Sequence, residues 1–420
     1  MSVTTCEARA DSPMFDPGAF GLSERQVELT SLARQLGAVR FAGRAAENDL
    51  SASFPTENFN DLRDAGMLSI CIPEEMGGLG ADFKTYMLVG AEIGRYCGTT
   101  ALTWNMHVCS CLWTGSLVDD LSLTDEQRSE HERSREHHYG RIVHDGAIYS
   151  QPGSEANRAA TGEVMFSTMA KRVDGGWRIN GRKIFASLAG NANYYGLLLC
   201  EEKERAQLRD TMYMAVPADA EGVSIVGEWD TVGMRGTDSR TLVFEDVFVP
   251  AEEQLMPLGV YQQAGMRWPH MFTVLTATYM GIAQAAYDFT VSYLRGEVPG
   301  MGVDKRRSRP AKQFAVADML FRLEQTKTLW YQMISEARVD PGKDQKLRAY
   351  AAQYTVMENA NELCQQAIRV CGGHSLFRKF PLERLYRDSR CGALMLPWSV
   401  ERCTELAGVE ALYEPGERDD

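Results

Sequence analysis

Residues 372–402 read GGHSLFRKFPLERLYRDSRCGALMLPWSVER. Gly372 and Gly373 end a helix, since glycine takes up the backbone conformations a helix terminus asks for. Ahead of them Val356, Ala360, Leu363, Ala367 and Val370 set an apolar stripe at spacings of three and four, the mark of an amphipathic helix. Pro381 opens the next helix, where its missing N–H costs nothing, and Leu382, Glu383, Arg384, Tyr386, Arg387 and Asp388 follow. Long helix, glycine break and second helix together predict a C-terminal bundle.

Moving toward the N-terminus, Ile282, Ala286, Phe289 and Tyr293 make a second stripe and Val316, Leu320 and Leu323 a third. Several such helices with short joints read as a bundle over 256–415. Between 147 and 255 the period becomes strand-like. Asp174-Gly175-Gly176 and Asn180-Gly181 are turn signals on either side of Trp177 and Ile179, and 212–216 and 241–249 are further strands, the latter stopped by Pro250. A middle β-barrel domain is expected there. Residues 21–146 read as an N-terminal helical domain with Ser23 as an N-cap, interrupted by a structural turn, PEEMGGLG, at 73–80. The acidic, His-bearing stretch 118–140 reads as a solvated helix or connecting loop, and residues 1–20 as a flexible N-terminus. The fold class is mainly α with a central β domain.

The chain has 420 residues, 44% hydrophobic and 24% charged, with a formal net charge of -13. That balance is a soluble globular one and argues against nucleic acid or an anionic membrane as the main partner. No run of roughly 20 apolar residues suits a membrane span. The ten cysteines show no CxxC spacing, so reduced thiols, a cytoplasmic setting and no metal site are expected.

Four motifs in order resemble the acyl-CoA dehydrogenase superfamily over nearly the whole chain. They are YSQPGSEAN at 149–157, GWRINGRKIFAS at 176–187, VGMRGTDSRTLVFEDVFVP at 232–250 and the C-terminal run. The resemblance implies an acyl-CoA dehydrogenase-like fold and FAD, its ring lying between the β domain and the C-terminal bundle. By motif position Tyr149 and Ser150 would face the ring, with Ser150 in the place of a hydroxyl that hydrogen-bonds it. Phe185, Ala186 and Ser187 would cover the other side, Ser187 supplying a donor. Arg369, Gly372 and Gly373 would meet the FAD pyrophosphate of a neighbouring subunit, which implies a homodimer or homotetramer. Arg295 is a further candidate for an FAD phosphate.

Most of that family sets a catalytic glutamate after the Arg-Asp helix, as the base that removes an α-proton beside a thioester. Here the place falls at Leu396-Pro397-Trp398, and Glu401 lies five residues beyond its start. A minority carries the base at the start of the first bundle helix, which falls at Met271 beside His270. His270 and Glu401 are the catalytic candidates, with His107 and His374 as further imidazoles near the expected pocket. The first reading is therefore desaturation of an acyl-CoA or acyl-carrier-protein thioester with an unusual base, passing electrons to a separate acceptor. The alternative is a monooxygenase of the same fold, supplied with reduced flavin by a separate reductase. A flavin-binding scaffold without turnover is the third.

Overall fold

In the computed structural model, residues 12–156, 166–204, 206–298, 306–414 and 417 are described. Helices come first: α1 (Pro17–Phe20), α2 (Glu24–Leu36), α3 (Ala42–Ser51), α4 (Thr56–Asp64), α5 (Phe83–Tyr96), α6 (Gly98–Thr114), α7 (Ser116–Asp119) and α8 (Asp125–Asp145). Strands follow: β1 (Tyr149–Ser150), β2 (Met169–Val173), β3 (Gly176–Lys183), β4 (Tyr194–Glu201), β5 (Thr211–Pro217), β6 (Val223–Val226), β7 (Thr241–Pro250) and β8 (Gln254–Met256). The chain then returns to helices: α9 (Val260–Arg267), α10 (Thr276–Arg295), α11 (Pro310–Ser335), α12 (Lys343–Cys371), α13 (Leu382–Gly392) and α14 (Val400–Leu412). None of the described helices is long and apolar enough to cross a membrane.

Local chemistry sets the helix starts. Ser23 accepts from the Gln26 N–H while the Gln26 side chain accepts from the Ser23 N–H, and Thr124 and Gln127 repeat this reciprocal cap at the start of α8. The stripes on α10 and α12 are buried as their spacing demands. On α11 the buried line is Met319, Leu323, Trp330 and Met333, with Val316 and Leu320 only half-buried. The stretch 118–140 is not merely solvated, because α8 turns His131, Arg135, His138 and Tyr139 into the interior. Nor does the described part of the expected tail stay free. Met14 and Phe15 are buried, Phe15 stacks on Trp330 at 5.5 Å, and Phe20 meets Tyr331 edge-on at 4.8 Å.

The strands form one eight-stranded sheet in the order β6-β7-β3-β2-β4-β5-β8, with β1 pairing β4. Asp174 and Gly175 turn the β2–β3 hairpin, which closes on the pair Val173 and Gly176. Asn180-Gly181 is no turn. It is a bulge inside β3, where the register against β7 shifts between Ile179 and Gly181. Gly181 has φ +154°, and a Cβ there would stand 2.6 Å from the Thr168 hydroxyl.

A buried ion pair fastens the segment after β1 to this sheet. Glu155 accepts from Lys183 at 2.6 Å, from the Ser167 N–H and hydroxyl at 2.5 and 2.6 Å, and from the Thr168 N–H and hydroxyl at 3.1 and 2.7 Å. Lys183 is fully buried and also donates to the Leu198 carbonyl. Burial lowers its amine to about 8, against the pull of Glu155.

One helix of the N-terminal region and one of the C-terminal region meet backbone to backbone. A Cβ on Gly281 of α10 would lie 2.3 Å from the Ala91 carbonyl of α5, and one on Gly94 would lie 2.6 Å from the Thr278 carbonyl. Arg95 and Asp288 bridge the same two helices at 2.6 Å. This crossing fixes the N-terminal helices against the C-terminal bundle.

Candidate functional site

Tyr149 and Ser150 are consecutive on β1, so their side chains leave on opposite faces, and the two cannot both line one surface. Tyr149 goes inward. Its hydroxyl meets His138 Nδ1 at 3.0 Å, its ring stacks on Tyr194 at 5.0 Å, and it is fully buried. Its backbone N–H donates to His107 Nδ1 at 3.0 Å, so the neutral His107 ring carries its proton on Nε2 and donates it to the Leu68 carbonyl at 2.9 Å. Burial lowers His107 to about 4 and His138 to about 3. His107 therefore pins β1 to the turn before α5 and carries no mobile proton near neutrality.

Ser150 goes the other way and joins the segment after β3. Its hydroxyl donates to the Ser187 carbonyl at 2.5 Å. Ser187 Oγ in turn meets Ser239 Oγ at 2.8 Å, Ser239 meets Thr237 Oγ1 at 2.7 Å, and Thr237 donates to the Met234 carbonyl at 2.9 Å. The Met234 N–H is held by Asp388 of α13 at 2.6 Å. Asp388 is fully enclosed, and burial pushes its carboxyl up to about 6. Thus the Arg-Asp pair of the opening motif reaches the hydroxyls at the end of β3.

These two segments hold unusual backbone. Of the seven described non-glycine residues with positive φ, four are Phe185 (+52°), Leu188 (+65°), Met234 (+54°) and Asp238 (+46°). Such conformations cost of order 1 kcal/mol or more each and gather at working surfaces. Phe185 is 63% exposed with its ring edge-on to Trp229 at 6.2 Å, while Ala186 is fully buried.

The remaining candidates lie apart from this seam in the chain. Arg369 and Gly373 are exposed at the end of α12, and a Cβ on Gly372 or Gly373 would meet nothing within 4 Å. His374 is exposed and packs edge-on to Phe377 at 5.1 Å. Arg295 pairs with Glu297 two residues on.

Neither catalytic candidate has the surroundings of a base. Glu401 is exposed on the first turn of α14, where a carboxylate favours the helix dipole. His270 is fully buried between α9 and α10 with no well-aligned partner for either ring nitrogen. Burial lowers it to about 4, with Glu336 and the Arg338 carbonyl opposing weakly. A proton acceptor that weak is poorly matched to work near neutrality. Met271, at the alternative position, is an apolar core residue.

At the counted place of the glutamate stands a buried indole. Trp398 is 6% exposed, follows the cis Leu396–Pro397 peptide, and has its carbonyl held by Gln353 at 2.9 Å. Its ring meets Tyr350 at 4.8 Å and Phe272 at 5.5 Å, Phe272 meets Trp113 at 6.0 Å, and Trp113 meets Tyr261 at 4.6 Å. This aromatic wall joins the C-terminal motif to α6 and α9, and spacing along the chain gave no sign of it. A groove of about 650 Å³ also runs along α9, lined by Gln127, Arg209, Gly259 and Met266 among others; it includes none of the predicted site residues.

His137, His138 and Glu253 come within 4.8 Å of one another. Arg141 takes both Glu253 oxygens at 2.7 and 2.8 Å and Tyr149 takes His138 Nδ1, while Nε2 of His137 and of His138 is buried without a hydrogen-bond partner. The nine described cysteines are free thiols.

Helical region, sheet and helix bundle in this order, with a seam of hydroxyls beyond the end of β3, are the architecture of a class of flavin-dependent oxidoreductases. The chain belongs to the acyl-CoA dehydrogenase family, whose N-terminal, middle and C-terminal domain profiles match residues 23–119, 152–247 and 273–396. It is similar to the putative acyl-CoA dehydrogenase YdbM of Bacillus subtilis, 28% identical over 84% of this chain and 88% of that one. It is equally similar to L-evernosamine nitrososynthase of a Micromonospora, 28% identical over 89% and 87%. Among solved structures, KijD3 in complex with FMN and a dTDP-linked amino keto sugar superposes with a TM-score of 0.77 at 23% identity, over 95% of this chain and 96% of that one; this likeness speaks for the fold.

Proposed function

We propose that the protein is a flavin-dependent monooxygenase of the acyl-CoA dehydrogenase fold, supplied with reduced flavin by a separate reductase. The observation that carries this reading is Trp398. An indole buried in an aromatic wall stands at the counted place of the carboxylate, and the two substitute bases are an exposed glutamate and a weakly basic core histidine. Removal of an α-proton has no evident agent here, whereas oxygen insertion needs none at this position. The similarity to a nitrososynthase supports the same branch.

The flavin we assign is FAD. The Ser150–Ser187 pair fits a polar ring edge, the strained and exposed Phe185 fits a ring face, and the open end of α12 with Arg369 fits a pyrophosphate brought by a second copy. When bound, reduced flavin supplies the two electrons that take dioxygen to one inserted oxygen atom and one water. Ser150 and Ser187 orient the ring, and Phe185 covers it. The wall from Trp398 to Tyr261 keeps water from the substrate side and favours an apolar portion of substrate against it. The protein assembles as a homodimer or homotetramer in the cytoplasm.

A second reading, desaturation of an acyl-CoA or acyl-carrier-protein thioester, is supported by the similarity to YdbM. One experiment separates the two. Flavin-loaded protein is titrated anaerobically with a panel of acyl-CoAs, and oxygen uptake is then followed with NADH and a flavin reductase. Monooxygenation predicts no bleaching by any thioester and substrate-dependent oxygen uptake with the reductase. Bleaching by a thioester without reductase would establish the second reading and overturn the first.

A further inference from the structure

The hydroxyl chain at the end of β3 has a direction, and counting hydrogens reveals it. A serine or threonine hydroxyl carries one hydrogen and can accept on its lone pairs. Thr237 stands 2.9 Å from the Met234 carbonyl, which can only accept, so the Thr237 hydrogen is spent there. Ser239 must then donate to Thr237 across 2.7 Å, and Ser187 must donate to Ser239 across 2.8 Å. Reversing the chain would set the Thr237 oxygen against the Met234 oxygen at 2.9 Å with no hydrogen between them. The carbonyl itself cannot turn away, because the Met234 N–H is tied to Asp388 at 2.6 Å and the same oxygen also receives the Trp229 indole N–H at 3.1 Å.

Neighbouring donors are spent as well. Ser150 gives its hydrogen to the Ser187 carbonyl at 2.5 Å. The backbone N–H groups of Ala186, Ser187, Leu188 and Ala189 go to the carbonyls of Arg240, Phe185, Thr237 and Asp238, each at 3.0 Å. With Thr237 fully buried and Ser239 5% exposed, water does not compete for the chain. The surface at Ser187 therefore offers lone pairs and no hydrogen. Sequence motif alone assigns Ser187 the opposite role, that of a donor.

We propose that Ser239 and Thr237 are positioning residues that lock the Ser187 hydroxyl as a hydrogen-bond acceptor, so that the site prefers reduced flavin to oxidised flavin. The oxidised isoalloxazine ring presents an unprotonated N5, an acceptor, and the reduced ring presents an N5–H. Two acceptors facing each other repel, while an acceptor facing an N–H makes a hydrogen bond. This inference rests on the placement of the flavin ring against Ser187, and it adds the redox form that the site selects.

The test is equilibrium binding of FAD to the flavin-free full-length protein, once with oxidised FAD and once, anaerobically, with dithionite-reduced FAD. In Ser239→Ala the Ser187 hydrogen is released to donate to oxidised N5. We expect tighter binding of oxidised FAD and a fall in the reduced-over-oxidised preference of roughly tenfold, the scale of exchanging one repulsion for one hydrogen bond. Thr237→Val should move the ratio the same way, and Ser239→Thr, which keeps a hydroxyl, should restore it. Misfolding cannot imitate this, since the expected change is a gain in affinity for one form. If Ser187→Ala alters FAD binding but Ser239→Ala leaves the ratio unchanged, the wiring is overturned and the flavin site stands. If Ser187→Ala changes neither affinity, the ring does not lie at Ser187, and the proposal falls with that placement.

Discussion

Asp388 does two things that pull against each other. It anchors the Met234 peptide from across the bundle, and it is a carboxylate enclosed by protein, with burial raising it to about 6. A carboxyl whose folded value lies above its unfolded one favours folding when protonated, so this contribution is complete below the unfolded value and is lost as pH rises through about 6. Asp388→Asn should remove that dependence: comparing urea midpoints at pH 4.5 and 7, the variant gains more stability on going up than the native chain does. Equal slopes would mean that the carboxyl titrates normally. The motif containing Asp388 is plain in the sequence, and so are Ser150 and Ser187. Ser239 and Thr237 are not, because their part is a count of hydrogens among neighbours that only the fold assembles. Tyr149 was misplaced for a simpler reason, since two adjacent strand residues cannot share a face.

At the scale of elements, the α5–α10 crossing is the tightest joint between the N-terminal and C-terminal helices. Gly281→Ala puts a methyl group 2.3 Å from the Ala91 carbonyl, against backbone that has no rotamer to yield. A loss of roughly 2–4 kcal/mol is expected, read as a lowered urea midpoint, whereas Gly43→Ala in α3, which meets nothing within 4 Å, should hold or gain stability. Helices with strong stripes, such as α10 and α12, were legible because one face had to be buried. Asn180-Gly181 was not, since its composition suits a turn and a bulge equally; the close Thr168 decides for the bulge. On α8, charge hid a buried face. Arg135 satisfies itself on the Thr114 and Gly115 carbonyls, and the composition reads as solvated while the packing is not.

For the whole molecule, four of the seven histidines are buried and held neutral: His107, His131 and His270 at about 4 and His138 at about 3. An imidazole depressed in the folded state takes up its proton on unfolding, so stability is full above about 6.5 and falls as pH drops toward 4. On the order of 1–2 kcal/mol per histidine is at stake by pH 5. This outweighs the opposite trend of the single Asp388, and a melting temperature that does not fall between pH 7.5 and 5 would contradict it. Assembly is tested on α11, where Phe314 and Phe321, 74% and 61% exposed, stand two turns apart on one face. Changing both to glutamate should lower the mass seen in sedimentation while leaving far-UV circular dichroism unchanged. The order of helical, sheet and bundle regions was legible throughout the chain. The aromatic wall was not, because Trp113, Tyr261, Phe272 and Trp398 converge from separate regions of the sequence.

The clasp between Glu155 and Lys183 makes the protein its own gauge of opening. The Lys183 amine is fully enclosed, so an acylating reagent reaches it only while the sheet is breached. The fraction of Lys183 labelled against time, read by peptide mass, then reports how often that breach occurs in otherwise native protein.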